Sequence, residues 1–181
     1  EGDNLPGLII DYYNGVAVMQ MHSVGMYRMR NDITSILTEL LGPRLIAVYD
    51  KSESTIPFMS GIKAESGFLY GSSDPVIVTE NGCKFKIDWT SGQKTGFFID
   101  QRENRKLLES FTSGRAVLNM CGYTGAFSVY AMKDARSVHT VDSSESAIRL
   151  ADENIKINFG DDPRHQSFKV DAFDYLNEIK D

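Results

Sequence analysis

The sequence predicts an α/β protein in which a small α+β domain, residues 1–90, precedes a parallel-sheet domain, residues 91–181. Asn-Gly pairs between short β-type runs in the first part indicate antiparallel hairpins. Strands and helices alternate regularly after Arg105, which is typical of parallel βαβ units. The 181 residues, 41% of them hydrophobic and 24% charged, are sufficient for a core of this size.

Two hairpins, one helix and one further strand are predicted in the first domain. The hairpins turn at Asn-Gly pairs, and their strands cover residues 8–13 with 16–22 and 76–80 with 84–89. Asn31 and Asp32 are expected to cap the helix, and Gly42-Pro43 to end it. Its apolar residues are predicted to share one buried face: Ile33, Ile36, Leu37, Leu40 and Leu41. With a strand near residues 45–49, these elements predict a helix packed on antiparallel strands.

Alternating strands and helices are predicted after Arg105. They are a short helix near 107–111, a buried strand 116–120, a helix 124–132, a strand 137–141, a helix 144–158, a strand 166–170 and a helix 172–179. In parallel sheets of this kind, ligands bind at the carboxyl ends of the strands. The residues that follow each strand are therefore the candidates for a binding site.

The turn after the first parallel strand contains Gly122 and Gly125. Glycines there permit positive φ and close approach of a ligand to the main chain. The G-x-G-x-x-G pattern of a dinucleotide site is absent, and the two-residue separation is typical of a loop around the methionine and ribose parts of S-adenosylmethionine. A tight strand-to-helix turn without a ligand accounts for the same pattern equally well.

Acidic residues follow the next two strands. Asp142 lies 17 residues after Gly125, where its carboxylate can accept both hydroxyls of a ribose; its alternative role is to cap the helix that begins near Ser144. Asp171 is placed to bind an adenine amino group, beside the backbone N–H of Ala172 and the apolar ring of Phe173. Helix capping is an equal alternative for Asp171, and His139 is expected to be packed rather than reactive.

Composition excludes several classes of protein. The net charge is −6 and neither half of the chain is basic, so its own electrostatics do not favour nucleic-acid binding. No apolar run has the length of a membrane span, and no metal site is expected. The two cysteines, Cys83 and Cys121, favour a reducing cytoplasmic location.

Two motifs carry a resemblance to a known family. Gly92–Arg105 resembles the Gly-Gln-Lys-Thr-Gly-Phe-Phe-x-Asp-Gln-Arg-x-Asn-Arg signature of bacterial large-subunit ribosomal RNA methyltransferases, and Asn119–Gly125 resembles their Asn-x-x-x-Tyr-Thr-Gly loop. Leu5–Ile9 resembles the start of their central domain. These class I enzymes combine a PUA domain, a central α+β domain and a Rossmann-like catalytic domain. The resemblance implies methylation of cytosine C5 in 23S rRNA, with S-adenosylmethionine as cofactor.

The resemblance implies that a truncated Rossmann-like parallel sheet follows the α+β domain. Carried over position by position, it also implies a cofactor pocket. The implied pocket residues are Gln93, Lys94, Thr95, Phe97, Asp100, Arg102, Asn119, Gly122, Tyr123, Gly125, Asp142, Ser143, Asp171, Ala172 and Phe173. For Arg102 and Arg105 the alternative is a solvated helix face paired with Glu103 and Glu109.

The chain also departs from the family pattern. The Asp-Pro-Pro motif and the attacking thiolate are absent, and Cys83 and Cys121 are expected to be small buried side chains. We therefore expect a middle section of the enzyme, without turnover of its own. Family strand order 3-2-1-4-5-7-6 leaves strand 116–120 as a bare edge, which predicts self-association.

Two other functions remain open at this point. One is a NAD- or FAD-binding oxidoreductase that keeps Asp142 on the ribose. The other is a non-catalytic RNA-docking module whose methyltransferase-like half has lost its activity.

Overall fold

The computed structural model describes residues 3–57, 59 and 61–179. The chain divides into two compact units. The first comprises the residues up to Val76 together with Ile87–Phe98, and the second comprises Ile77–Lys86 and the residues from Ile99 onward. The units thus do not follow the predicted boundary at residue 90, because most of the second hairpin belongs to the second unit.

The first unit is built on a four-stranded sheet. Its elements are β1 (Leu8–Tyr13), β2 (Val16–Met21), α1 (Val24–Arg28), α2 (Arg30–Leu41), a 3-10 turn (Gly42–Arg44), β3 (Ala47–Asp50) and β4 (Gly67–Gly71). The order is β1-β2-β3-β4, and β1 pairs with β2 as the predicted hairpin. Asn14 and Gly15 both have positive φ at its turn, as a two-residue hairpin of this type requires.

The prediction of an all-antiparallel first sheet is wrong. β2 and β3 pair in parallel, since the two helices between them form a crossover that returns the chain to the end of the sheet at which β2 begins. The strand β4 was not predicted; it is short, bounded by Gly67 and Gly71, and its pairing with β3 is irregular between Val48 and Tyr49. These features weaken the alternating pattern by which a strand is identified.

The predicted cap of the long helix is also wrong. α2 begins after Met29, and Asn31 and Asp32 lie within its first turn. The side-chain cap is one helix earlier, where Ser23 Oγ accepts from the Met26 N–H at the start of α1. The apolar residues of α2 also do not share one buried face: Ile33, Leu37 and Leu41 pack against the core, whereas Ile36 and Leu40 are 55% and 70% exposed.

One buried cluster of the first unit lies on the α2 side of the sheet. Ala17, Met19 and Met21 alternate along β2 and meet Val48 of β3, all with no exposed surface. Burial of a methionine or valine side chain stabilises the fold by about 1.5–3 kcal/mol. The central strands therefore hold this unit together.

The second unit contains the predicted hairpin and the alternating elements. They are β5 (Val76–Glu80), β6 (Cys83–Ile87), a 3-10 turn (Ile99–Gln101), α3 (Arg102–Thr112), β7 (Ala116–Met120), α4 (Ala126–Ala131), β8 (Ser137–Asp142), α5 (Glu145–Phe159), β9 (His165–Lys169) and α6 (Ala172–Glu178). β7, β8 and β9 form a parallel sheet in that order. The predicted α/β fold with a parallel sheet is confirmed.

β7 is an edge strand of this sheet among the described residues. Ala116 is exposed and Leu118 is 37% exposed, so the prediction of a buried strand is wrong. The expected bare edge is present.

Candidate functional site

The loop Asn119–Gly125 leaves the carboxyl end of β7 in an unusual backbone conformation. Cys121, Tyr123 and Gly125 have φ values of 54°, 46° and 69°. Non-glycine residues in this region cost about 1–3 kcal/mol each and persist only where the surroundings fix them. The contacts that fix this loop therefore decide what it can bind.

The two glycines of the loop are required by packing. A Cβ atom on Gly122 would lie 2.5 Å from Cγ2 of Thr140, and one on Gly125 would lie 2.7 Å from Cβ of Ala151. The φ of Gly122 is not in the left-handed region, contrary to the simplest explanation of its presence. Both glycines let the loop lie directly against β8 and α5.

Asp142 holds the loop through its carboxylate. Its Oδ2 accepts from the Tyr123 N–H at 3.0 Å, and its Oδ1 accepts from the Ser144 N–H at 2.9 Å. The helix cap of α5 is Ser144 itself, whose Oγ accepts from the Ala147 N–H at 3.3 Å. Each carboxylate oxygen keeps a second lone pair. Asp142 is half-buried and can still accept hydrogen bonds from a ligand.

Asn154 is a second support that the sequence patterns do not single out. It is fully buried in α5, where its Nδ2 donates to the Thr124 carbonyl at 2.9 Å and its Oδ1 accepts from the Lys86 N–H at 2.8 Å. An asparagine at a core position of an amphipathic helix is the signal that could have indicated it, since buried polar groups need partners. Asn154 joins the loop to the hairpin β5–β6.

The third strand contributes Asp171. It caps α6, and its Oδ1 accepts from the N–H groups of Phe173 at 2.8 Å and Asp174 at 3.4 Å. The ring of Phe173 is 76% exposed beside it, and Ala172 is half-buried. The parallel register brings the loop, Asp142 with the exposed Ser143, and Asp171 to one edge of the sheet.

The predicted residues before Ile99 belong to the first unit. Thr95 is buried; its Oγ1 donates to Asp11 and lies 2.9 Å from the Tyr13 hydroxyl. Phe97 is 3% exposed. Gln93 and Lys94 are exposed, with the Lys94 ammonium 4.4 Å from the centre of the Phe98 ring. Thr95 and Phe97 are thus engaged in the packing of their own unit.

The two arginines of the Gly92–Arg105 motif converge on Glu80. Arg105 is 1% exposed and donates to both carboxylate oxygens of Glu80 at 2.8 Å, and Arg102 Nε lies 3.3 Å from Oε2. The alternative of pairs with Glu103 and Glu109 is therefore wrong. Asp100, by contrast, is exposed and accepts from the Gln101 amide at 3.3 Å.

Tyr130 completes this buried cluster. Its hydroxyl donates to Glu80 Oε1 at 2.9 Å. Burial would raise the pKa of Glu80, but the bonds from Arg105, Tyr130 and Arg102 hold that pKa below its ordinary value. Burial and the Glu80 carboxylate raise the pKa of Tyr130. Glu80 is therefore an ionised structural anchor.

Three further observations concern cysteines, metals and membranes. Cys83 is buried as expected, but Cys121 is exposed, so the expectation of burial is wrong for it. In residues 3–57, 59 and 61–179, no group of three or more His, Cys, Asp or Glu side chains is placed to hold a metal ion. None of the helices in the same ranges combines the length and apolar character of a bilayer crossing.

The side chains at the carboxyl ends of β7, β8 and β9 fit the chemistry of S-adenosylmethionine. A ribose diol needs an acceptor, and both carboxylate oxygens of Asp142 retain a lone pair for such a bond. The amino and ammonium groups need further acceptors, and Asn119 Oδ1 has no partner among the described residues. The exposed Phe173 ring offers an apolar surface.

Several curated relatives match the whole or nearly the whole chain. Ribosomal RNA large subunit methyltransferase I of Aeromonas salmonicida is 37% identical and is matched over 100% of this chain and 46% of its own length. The protein of the same name from Alteromonas mediterranea is 39% identical, over 98% of this chain and 45% of its own. The chain thus spans about half the length of these relatives.

Solved structures match in the same way. A Streptococcus mutans protein assigned to the SAM-dependent methyltransferases is 30% identical, with a TM-score of 0.84 over 98% of this chain and 46% of that chain. A methyltransferase-assigned protein complexed with S-adenosylhomocysteine is 30% identical, with a TM-score of 0.83 over 98% of this chain and 45% of its own. Trm5b of Pyrococcus abyssi shares the fold, with a TM-score of 0.72 at 22% identity. The match covers 90% of this chain and 47% of that chain.

A family model adds the decisive match, and it displaces the oxidoreductase alternative. The model for S-adenosylmethionine-dependent methyltransferases matches residues 56–178, which include the whole of the parallel sheet and the candidate edge. The chain belongs to the S-adenosylmethionine-dependent methyltransferase family.

Proposed function

We propose that the complete protein methylates large-subunit ribosomal RNA, with C5 of a cytosine as the target, and that this chain supplies the cofactor-binding part. One observation carries the proposal: the Asp142 carboxylate is held by two backbone N–H groups beside a strained loop at the carboxyl edge of a parallel sheet. The names of the curated relatives support the RNA substrate. The cytosine C5 target rests on the resemblance of the two motifs.

Each residue of the edge has a role in binding. Asp142 accepts from the ribose hydroxyls, with Ser143 beside it, and Asp171 accepts from the adenine amino group while Phe173 covers one face of the base. Bound S-adenosylmethionine would supply an electrophilic methyl group on its sulfonium. The loop, including Tyr123, is oriented by Asp142 before any ligand arrives, which lowers the ordering cost of binding.

The chain itself is proposed to bind the cofactor without turning over. Neither an Asp-Pro-Pro motif nor a thiolate placed by the family pattern occurs in its sequence. Residues 93–97, Asp100 and Arg102 remain proposed parts of the pocket through the resemblance alone. Self-association through the edge strand β7 is proposed from the family strand order, and a location in the reducing cytoplasm is proposed from the low cysteine content.

Calorimetric titration with S-adenosylhomocysteine tests the cofactor proposal. Asp142→Ala removes the ribose acceptor and the carboxylate that holds the Tyr123 N–H of the loop, so binding should weaken at least about 100-fold, corresponding to roughly 3 kcal/mol. Asp161→Ala, at an exposed carboxylate, is the matched control and should bind like the parent chain. Equal affinity of Asp142→Ala and the parent would contradict the proposal.

A second experiment separates catalysis from docking. In the full-length protein, Asp142→Ala should abolish methyl transfer to ribosomal RNA while RNA binding persists. Retained methyl transfer would reject the assigned role of Asp142. RNA binding by a parent protein that never binds S-adenosylhomocysteine would favour the docking module.

A further inference from the structure

A chain of hydrogen bonds leads from the loop into the sheet. Asn119 Nδ2 lies 2.9 Å from Ser128 Oγ, which lies 2.6 Å from Thr140 Oγ1, which in turn lies 2.8 Å from His165 Nε2. The four residues come from the end of β7, from α4, from the middle of β8 and from the start of β9. None of the sequence motifs links them.

The two hydroxyls in the middle, those of Ser128 and Thr140, have no alternative partners in residues 3–57, 59 and 61–179. Ser128 and Thr140 are both fully buried. Among the described residues, their hydroxyls bond only to each other, to the Asn119 amide and to the His165 imidazole. Each hydroxyl has one proton to donate, and a buried donor without an acceptor costs about 1–3 kcal/mol. The protons are therefore ordered in one direction along the chain.

The state of His165 fixes that direction. Its Nδ1 faces Asp152 Oδ1 at 3.9 Å, which favours a proton on Nδ1 and leaves Nε2 as an acceptor. Thr140 then donates to His165, Ser128 donates to Thr140, and Ser128 accepts from the Asn119 amide nitrogen. In this order the Asn119 carbonyl oxygen is free to accept from a ligand, since it has no partner among the described residues.

Protonation of His165 reverses the order. An Nε2–H donates to Thr140, so Thr140 donates to Ser128 and Ser128 must donate to Asn119. The amide then turns its oxygen toward Ser128 and its NH₂ toward the ligand side. A ligand donor would meet a donor, which weakens binding.

We infer that Ser128, Thr140 and His165 are positioning residues for the cofactor loop, and that they set which end of the Asn119 amide faces the cofactor. The inference rests on the proposed binding of S-adenosylmethionine at this edge. It assigns a role to the buried hydroxyls between the strands, which fold packing alone does not require because valine or alanine would fill the same positions.

The surroundings keep His165 neutral near pH 7. Burial lowers its pKa, Asp152 on α5 opposes that shift, and His139 on β8 adds to it. Arg164, the adjacent residue in the chain, is engaged by Asp162 at 2.8 Å. The acceptor state of Nε2 is thus the one present under ordinary conditions.

The first test needs no ligand. In an NMR pH titration of the parent 181-residue chain, the side-chain NH₂ signals of Asn119 should shift with the same midpoint as the imidazole signals of His165. Thr140→Val removes the connecting hydroxyl and should uncouple the two, whereas Thr140→Ser should keep them coupled. Asn119 signals that ignore the His165 titration in the parent chain would overturn the inference.

The second test measures S-adenosylhomocysteine affinity. Thr140→Val should weaken it about tenfold near pH 7.5, and Thr140→Ser should restore it, because only the hydroxyl matters. In the parent chain, affinity should decrease as His165 becomes protonated, and Thr140→Val should lose this pH dependence. Equal affinities of the valine and serine variants would reject the inference.

The two tests also separate this inference from the proposed function. If the parent chain binds no S-adenosylhomocysteine, the proposed function fails, while the ligand-free titration still decides whether the hydrogen-bond chain is directional. Should Thr140→Val not fold, the parent titration and Thr140→Ser suffice for that decision.

Discussion

The two motifs that carry the resemblance, Gly92–Arg105 and the loop Asn119–Gly125, use their polar residues in opposite ways. In the first motif, Thr95 and Arg105 are buried and bonded to other side chains of their own units. In the loop, main-chain groups receive the support, and side-chain oxygens of Asn119 and of Asp142, which follows the neighbouring strand, keep acceptor capacity. A specific sequence match can therefore reflect folding in one motif and ligand binding in the other.

The largest expected effect tests the structural role of the first motif. Arg105→Ala removes the buried ion-pair partner of Glu80 and leaves that carboxylate with only the partly exposed Arg102 and the Tyr130 hydroxyl. It should destabilise the protein by about 3–5 kcal/mol, since the buried charge loses its bidentate compensation. Urea unfolding measures this loss. Lys156→Ala, in an exposed ion pair, is the control and should change stability by no more than about 0.5 kcal/mol. A similar small loss for Arg105→Ala would remove the contrast between the motifs.

A change in the loop should affect stability and binding together. In Gly122→Ala the new Cβ would lie 2.5 Å from Thr140 Cγ2, so overpacking should cost about 2–3 kcal/mol and shift the loop away from its binding geometry. Unfolding and S-adenosylhomocysteine titration are both needed. The control is Gly25→Ala, where no atom lies within 4 Å of the added Cβ. Undisturbed binding in Gly122→Ala would show that the loop tolerates displacement.

Thr95→Val distinguishes the two uses within the first motif. The loss of the hydroxyl bonded to Asp11 and Tyr13 should cost about 1–2 kcal/mol of stability. If the residue serves only its unit, affinity for S-adenosylhomocysteine should be unchanged. A tenfold loss of affinity at retained stability would instead support the pocket role that the resemblance implies. Thr95→Ser keeps the hydroxyl and is the matched control.

The smallest expected effect is the pH dependence that His165 adds. Its folded pKa is lowered from 6.5, so the unfolded chain binds the proton more readily. The stability it contributes is therefore complete above about pH 6.5 and is lost as the pH falls below that value and through the lower folded pKa. Comparing urea midpoints of the parent and His165→Gln at about pH 7.5 and about pH 5.5 isolates this contribution. If the urea midpoint fell more between these two pH values in His165→Gln than in the parent chain, the lowered pKa of His165 would be contradicted.

Elements with strong local signals could be predicted from the sequence. The strand Ala116–Met120 occurs with the predicted bounds, and the hairpin around Asn14-Gly15 differs from its prediction only in that β2 ends at Met21, one residue earlier. The start of α2 could not be located, because Ser23 opens a separate short helix and the chain continues through Met29 without a side-chain cap. The parallel pairing of β2 and β3 depends on a tertiary crossover that no local pattern records.

Prediction of the site was limited in a similar way. Asp142 could be found because the end of a strand is a recognisable position. Asn154, Ser128 and Thr140 could not, since their importance comes from partners that lie 9 to 68 residues away in the sequence. Gly122 was identified for a ligand-related reason, while its actual constraint is the methyl group of Thr140.

The side chains of α5 that hold the hairpin have a consequence for dynamics. Asn158 accepts from the Lys84 N–H at 2.8 Å and donates to the Lys84 carbonyl at 2.7 Å, and Asn154 joins Lys86 to the Thr124 carbonyl. The amide hydrogens of Lys84 and Lys86 can exchange with solvent only when these bonds open. The exchange rate at Lys86 therefore reports, from a surface hairpin, how often the Asn154 side chain that also holds Thr124 of the loop is released.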